Sequence, residues 1–375
     1  MTEREGNSAL STDAAGSAGS VKRATLYQEI DGTKYEVALP LASVVDVKLM
    51  MNELGLPSFI DLEYLPMRSA IVVAWASQKA PELHKRYPQV FEKEVSSKPI
   101  SALLFGGGAI KAHCESSNGK GVLSRTIKDT DFIVPKSQGS SFCKMLLSIY
   151  RAFGTEFKFF KTKADTLFNG MRQGQRYRVR TINGVTAEGL PTATVLDIFC
   201  DCIDLRHKIE VKDAFEHCRD NLYTIGLELL VMSKCQFIMD FPRVEAYKLK
   251  EHDQEYRVLP YSYYAADKLV LGMEEKDTRD VCAVFLDHPI GVEKEQIDAG
   301  KMRRLLEKDK KMALSVALNL QNLAARTDLL DKWLKSGEVS LVVDRIQTLV
   351  GALPKVDKKW SKPWWNTAVE TPKVG

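Results

Sequence analysis

The chain is poor in residues that would announce several common chemistries. Its 375 residues hold seven cysteines, at 114, 143, 200, 202, 218, 235 and 282. An odd number without any CxxC spacing excludes a zinc ribbon and argues against a disulfide framework. Cys200 and Cys202 lie two apart in an expected strand, on one face, and are read as free thiols behaving as small hydrophobes. The six histidines are scattered, and no Ser–His–Asp or Cys–His arrangement stands out. No apolar run approaches the ~20 residues that span a bilayer. The first twenty residues, MTEREGNSALSTDAAGSAGS, lack the apolar stretch of a secretory signal. The net charge is only +4, a weak pointer to any partner. Together these absences predict a cytoplasmic protein in a reducing setting, with no membrane association.

What is present is a chain with 45% hydrophobic residues, enough to bury a large core. Composition predicts a disordered tail over 1–22. Residues 23–98 are expected to form a hairpin, turning at Asp31–Gly32, followed by helical sequence over 68–95. A strand, Ala102 to Phe105, then runs into Gly106, Gly107 and Gly108 and a helix-compatible stretch. A second strand carries KDTDFIVP. A helix from about Ser141 to Phe153 precedes three strand-like runs, FKFFKTKA, QRYRVRTI and TATVLDIFCDC. Short strands at EAYKLK and YRVLP precede a helix holding YYAADKLVLGM. Residues 291–355 are helical by periodicity, and 356–375 are irregular. The order of elements predicts an α+β fold with a mixed sheet flanked by helices in residues 99–290 and a helical C-terminal part.

One constellation carries chemistry. Asp129 and Asp131 are separated by one residue on a strand, so both project to the same face. Thr130, Phe132 and Val134 share the other face, which can be core. Asp197 sits in the apolar run TVLDIF, where a lone charge is costly unless paired or metal-bound. It shares a face with Val195 and Phe199. Three carboxylates of this kind suit hard divalent cations, magnesium or manganese. The three glycines, between a strand and a helix, let backbone approach phosphate closely.

FGGGAIKAH and RTIKDTDFIV resemble the glycine-pair and DxD signature of the polymerase-beta-like nucleotidyltransferase superfamily. YYAADKLVLGMEEKDTRDVCAVFL resembles the second conserved block of its AbiEii-type members, toxins of abortive-infection and toxin–antitoxin systems. The resemblance spans about residues 100 to 290. It implies metal ligation by Asp129, Asp131 and Asp197, with Lys268 and Asp280 as further catalytic residues. It implies nucleotide contacts from Gly106, Gly107, Gly108, Arg125, Lys128, Lys268 and Arg279. It implies a nucleoside triphosphate as donor, RNA or tRNA as a candidate acceptor, and a cognate antitoxin as a candidate partner. Gly108 and Ile127 stand where the family often has Ser or Thr, and Ala283 replaces the second Asp of its R-D-x-x-D block.

Two alternatives stay open beside it. One is a nucleotide- or RNA-binding protein that kept the fold without turnover. The other is a transferase acting on a small molecule. In the residues themselves, Asp280 is also a candidate salt-bridge partner of Arg279 or Lys276. Arg176, Arg178 and Arg180 share one strand face, as a phosphate groove or as the solvent face of an edge strand. The basic stretch from Lys301 to Lys311 is a solvated face or a nucleic-acid surface. His113 follows the glycines, near the site or merely packed. Trp360, Trp364 and Trp365 are unusual for a C-terminal tail.

Overall fold

The computed structural model describes residues 26–30, 33–37, 41, 44–91, 98–127, 130–158, 161–185, 191–217, 223–236, 247–251, 254–258, 273, 275–356 and 364–366. Strands β1 (Leu26–Ile30) and β2 (Thr33–Val37) pair antiparallel around Asp31–Gly32, the expected hairpin. Helices α1 (Val47–Glu53), α2 (Leu65–Gln78) and α3 (Ala80–Arg86) follow. The helical stretch expected over 68–95 is thus two helices that meet at Lys79. Pro81 lies in the first turn of α3, where its missing N–H costs nothing. α2 buries nearly every residue from Met67 to Ser77 and is a core helix.

β3 (Leu103–Phe105) runs directly into α4 (Gly106–His113). Then come β4 (Asp131–Val134), α5 (Gly139–Phe153) and β5 (Lys161–Ala164). A short helix absent from the sequence expectation, α6 (Thr166–Met171), starts at Asp165, whose carboxylate accepts from Phe168 N. β6 (Arg176–Val185) and β7 (Pro191–Cys200) complete a five-stranded sheet of order β3-β4-β7-β6-β5. β4 and β7 are parallel, and every other neighbouring pair is antiparallel. The class is α+β, with a mixed sheet and helices, as the order of elements predicts. α5 packs on β5, β6 and β7. The approach is close: a Cβ on Gly139 would lie 2.7 Å from Tyr177 Cε2 and 2.8 Å from Cys200 Sγ.

The strand expected to continue through Cys202 breaks at Asp201, which has φ +59°. Its Oδ1 accepts from Lys136 N at 2.9 Å, and its N–H donates to Val134 O at 3.0 Å. Cys200 therefore ends β7, while Cys202 opens β8 (Cys202–Asp204), which pairs with β9 (Lys208–Glu210). The cysteines at 114, 143, 200, 202, 235 and 282 are free and buried. Burial pushes the Cys143 thiol up to about 11 and, with Asp201 adding to it, Cys200 up to about 12. Cys218 lies outside the described residues, as does Trp360.

α7 (Lys212–His217) and α8 (Leu227–Cys235) come next, and every residue of α8 is buried. β10 (Tyr247–Glu251) and β11 (Gln254–Val258) pair antiparallel, close to the two short strands expected there. The expected helix over YYAADKLVLGM falls almost wholly outside the described residues. Five helices end the chain: α9 (Glu275–Asp287), α10 (Ala299–Glu307), α11 (Lys310–Ala325), α12 (Thr327–Leu330) and α13 (Ser336–Ala352). α9 and α11 pack on α8, and α13 packs on α9 and α11, so this helical part is built onto the sheet region through α8. The basic stretch over 301–311 is split between two helices. Asp309 caps α11 by accepting from Lys311 N and Met312 N. Arg303, Arg304, Lys308, Lys310 and Lys311 are exposed. Among the described residues, no helix is long and apolar enough to cross a membrane.

The C-terminal tryptophans dock on the core. Trp364 Nε1 donates to Ser315 Oγ at 2.9 Å, and that hydroxyl lies 2.8 Å from His207 Nε2. Asn366 N donates to Arg206 O at 2.8 Å, and Arg206 Nη1 donates back to Asn366 O at 3.0 Å. Burial lowers the His207 pKa from 6.5 to about 4. Unfolded chain therefore binds a proton that the folded ring refuses. The stability held by neutral His207 is full above pH ~6.5 and is lost as pH falls toward 4. Unfolding monitored across that window should show a loss of about 3 kcal/mol, and His207→Gln should flatten it.

Candidate functional site

The sheet turns one face to α5, through Phe132, Ile198 and Tyr177. The opposite face carries the candidate chemistry. β4 and β7 run side by side with Phe132 beside Ile198. One step earlier on both strands, Asp131 lies beside Asp197, and alternation puts both on the face away from α5. β6 adds Arg178 opposite Asp197, Arg176 opposite Phe199 and Arg180 opposite Val195. Thr130, Phe132 and Val134 are buried, as the alternation predicts.

Asp197 does not stand alone. Arg176 Nη2 donates to its Oδ2 at 2.5 Å, and Arg178 Nε donates to its Oδ1 at 2.9 Å. The two arginine side chains are only 15% and 12% exposed. They are therefore not the solvent face of an edge strand. β5 is the edge, and Phe168 of α6 lies beneath the guanidinium of Arg178, 4.0 Å from ring centroid to Cζ. Two cations compensate a carboxylate on a half-buried face, which answers the cost of a charge in TVLDIF. Arg180, half exposed, pairs with Asp165 at 2.7 Å.

The glycine turn sits against Asp131. Gly106 has φ +66°, and a Cβ there would lie 3.0 Å from Asp131 Oδ2. A side chain would be strained and would press on the carboxylate. A Cβ on Gly107 would lie 2.6 Å from Arg125 Nη2 and 2.7 Å from Ile127 Cγ2. Gly108, where a hydroxyl residue is common in the family resembled, has Leu104 Cδ1 at 3.1 Å from its would-be Cβ. Gly107 is thus the floor on which the segment before the DxD pair rests.

That segment is fixed by a buried ionic network. Arg125 donates to Asp280 through Nε at 2.7 Å and through Nη2 at 2.6 Å. Lys234, from the apolar helix α8, reaches Asp280 at 2.8 Å and Asp277 at 2.9 Å. All four side chains are 15% exposed or less. Burial alone would raise the Asp280 pKa, but Lys234 and Arg125 outweigh it and hold the carboxyl below its usual range. Asp280 therefore reaches the glycine turn only through Arg125. Its partners are Arg125 and Lys234, not its neighbour Arg279, whose guanidinium lies 5.2 Å over the Trp333 ring.

Two residues outside the sequence motifs complete the support. Tyr64, just before α2, donates its hydroxyl proton to Ile127 O at 3.0 Å and accepts from Ile127 N at 2.5 Å. Buried Lys111 donates to Ser117 O at 2.5 Å and lies 5.2 Å over the Tyr64 ring. Burial, then the nearby Arg125 charge, lower the Lys111 pKa. Tyr64→Phe should cost about 1–2 kcal/mol by leaving both Ile127 backbone groups unpaired; urea unfolding would measure it.

Lys128, Asp129 and Lys268 lie outside the described residues. Among the described residues, no group of three or more His, Cys, Asp or Glu is arranged to hold a metal. His113 is at the opposite end of α4 from the glycine turn. No family model, no curated protein and no solved structure matches the chain.

Proposed function

We propose that the chain is a metal-dependent nucleotidyltransferase with a polymerase-beta-like catalytic sheet. The observation that carries this reading is the pairing of Asp131 and Asp197 on adjacent parallel strands, with a glycine turn lying against Asp131 and opening a helix. Asp129, Asp131 and Asp197 offer oxygen donors only, which fits magnesium or manganese. Bound there, the ions would supply charge stabilisation to the reacting phosphate and the leaving pyrophosphate. The unpaired N–H groups at the start of α4 suit triphosphate oxygens. Arg125, braced by Asp280, holds the loop before the carboxylates in place. Asp131 and Asp197 orient the donor for in-line attack by an acceptor hydroxyl or phosphate on the α-phosphate. RNA or tRNA is the acceptor class proposed, in a cytoplasmic AbiEii-like toxin restrained by a cognate antitoxin.

A second reading, nucleotide binding without turnover, is favoured by one observation. Both oxygens of Asp197 already accept from arginines. The deciding experiment incubates the protein with each labelled triphosphate, magnesium and total cellular RNA, beside Asp129→Ala. Transfer that disappears in the variant supports catalysis. Metal-dependent nucleotide binding with no transfer to any acceptor supports the second reading. Transfer retained by Asp129→Ala overturns the site.

A further inference from the structure

A cleft of about 460 Å³ opens where α4 ends, at the opposite end of that helix from the glycine turn. Its size lies within the ~300–1,000 Å³ of small-molecule sites. One part of its lining is apolar and aromatic, formed by Leu56, Pro57, Phe59 and Tyr223. The rest carries three carboxylates, Glu115, Asp287 and Glu295, against one ammonium, Lys294. Glu295 Oε2 is engaged by His113 Nδ1 at 2.9 Å. Even so, Glu115 and Asp287 outnumber Lys294. Asp287 uses one oxygen for Ser116 N at 2.9 Å.

His288 supplies the independent observation. It lines the cleft and is 5% exposed. Its Nδ1 lies 2.8 Å from the carbonyl oxygen of Glu295, a contact that only an N–H can satisfy. In the neutral ring Nε2 therefore keeps its lone pair. Nε2 is buried and has no hydrogen-bond partner. A buried acceptor lacking a donor is costly, and a ligand in the cleft is the missing source of one.

We propose that this cleft is a second ligand site, for a small organic cation: a primary amine or guanidinium on an apolar or aromatic body. The charged N–H groups meet Asp287 and Glu115 and supply the donor that His288 Nε2 lacks. The body of the ligand lies on Phe59 and Tyr223, where the aromatic faces also favour a cation. The proposal does not depend on nucleotidyl transfer.

Calorimetric titration of the full chain with tyramine and agmatine tests it, with 4-hydroxyphenylpropionate as the anionic counterpart. At least one cation should bind the wild type. Its affinity should fall tenfold or more in Asp287→Asn and in His288→Phe, and stay unchanged in Asp131→Asn. The anion should not bind. Failure of both cations to bind folded wild type overturns the proposal. Undiminished binding in the two cleft variants, or equal binding of the anion, does the same. Asp287→Asn is nearly isosteric, so it carries the test if His288→Phe does not fold.

Discussion

Asp280→Ala should destabilise the protein by about 3–5 kcal/mol, the loss expected when one partner of a buried ion pair is removed. The carboxylate is 3% exposed and accepts from three cationic N–H groups. Without it, Arg125 loses both charge-assisted bonds, and Lys234 keeps only Asp277. Two buried cations would then share one anion. Asp280→Asn preserves the volume and one acceptor, so it should cost less than alanine yet remain clearly destabilising. Urea unfolding of the three proteins checks the order.

The same substitution has a pH signature. The folded carboxyl of Asp280 titrates below its ordinary range, because Lys234 and Arg125 outweigh the effect of burial. Its contribution is therefore full above the unfolded value near ~3.9 and is lost as pH falls through the folded one. Asp280→Ala should lose that part of the acid dependence. The His207 window between pH ~6.5 and 4 should survive, since it arises from a different group. A defect confined to catalysis, with stability unchanged, would instead put Asp280 at the substrate.

The metal-facing strands were legible in the sequence for a local reason. Alternation alone separates Asp131 from Phe132 and Val134, and Asp197 from Leu196 and Ile198. It also puts Arg176, Arg178 and Arg180 on one face. What alternation cannot show is which strand lies beside which. Register puts Arg178 opposite Asp197 and turns an expected groove into an ion-pair clamp. The Arg125–Asp280 pair is 155 residues apart in sequence, so spacing is silent about it. A signal for the network did exist. Lys234 lies in the apolar run LELLVMSKC, where a lone ammonium needs a partner, and Asp277 and Asp280 sit at helical i,i+3 spacing. Tyr64 carried no signal, because its two bonds go to backbone 63 residues away. The helix break at Lys79 and the left-handed Asp201 depend on local geometry that hydrophobic periodicity averages over.

Asp131→Asn should lower magnesium-dependent nucleotidyl transfer by about 10³-fold or more, roughly 4 kcal/mol of transition-state stabilisation. The side chain is half-buried at the start of β4, and asparagine matches its volume. Folding should therefore be preserved, and the melting temperature should stay near that of wild type. The loss should appear in kcat more than in KM for the triphosphate, since the carboxylate acts through metal at the reacting phosphate. Gly106→Ala is the complementary change. It leaves both aspartates in place but forces a Cβ to within 3.0 Å of Asp131 Oδ2 at φ +66°. It should therefore lower transfer and stability together, because the strain acts on backbone and carboxylate at once. Asp131→Cys gives the sharper discrimination. A thiolate binds magnesium poorly and softer ions better, so partial recovery of transfer with manganese or cadmium would place metal at residue 131. Full activity of Asp131→Asn would instead leave the pairing of Asp131 with Asp197 as an architectural feature of the sheet, and the chemistry would have to lie elsewhere.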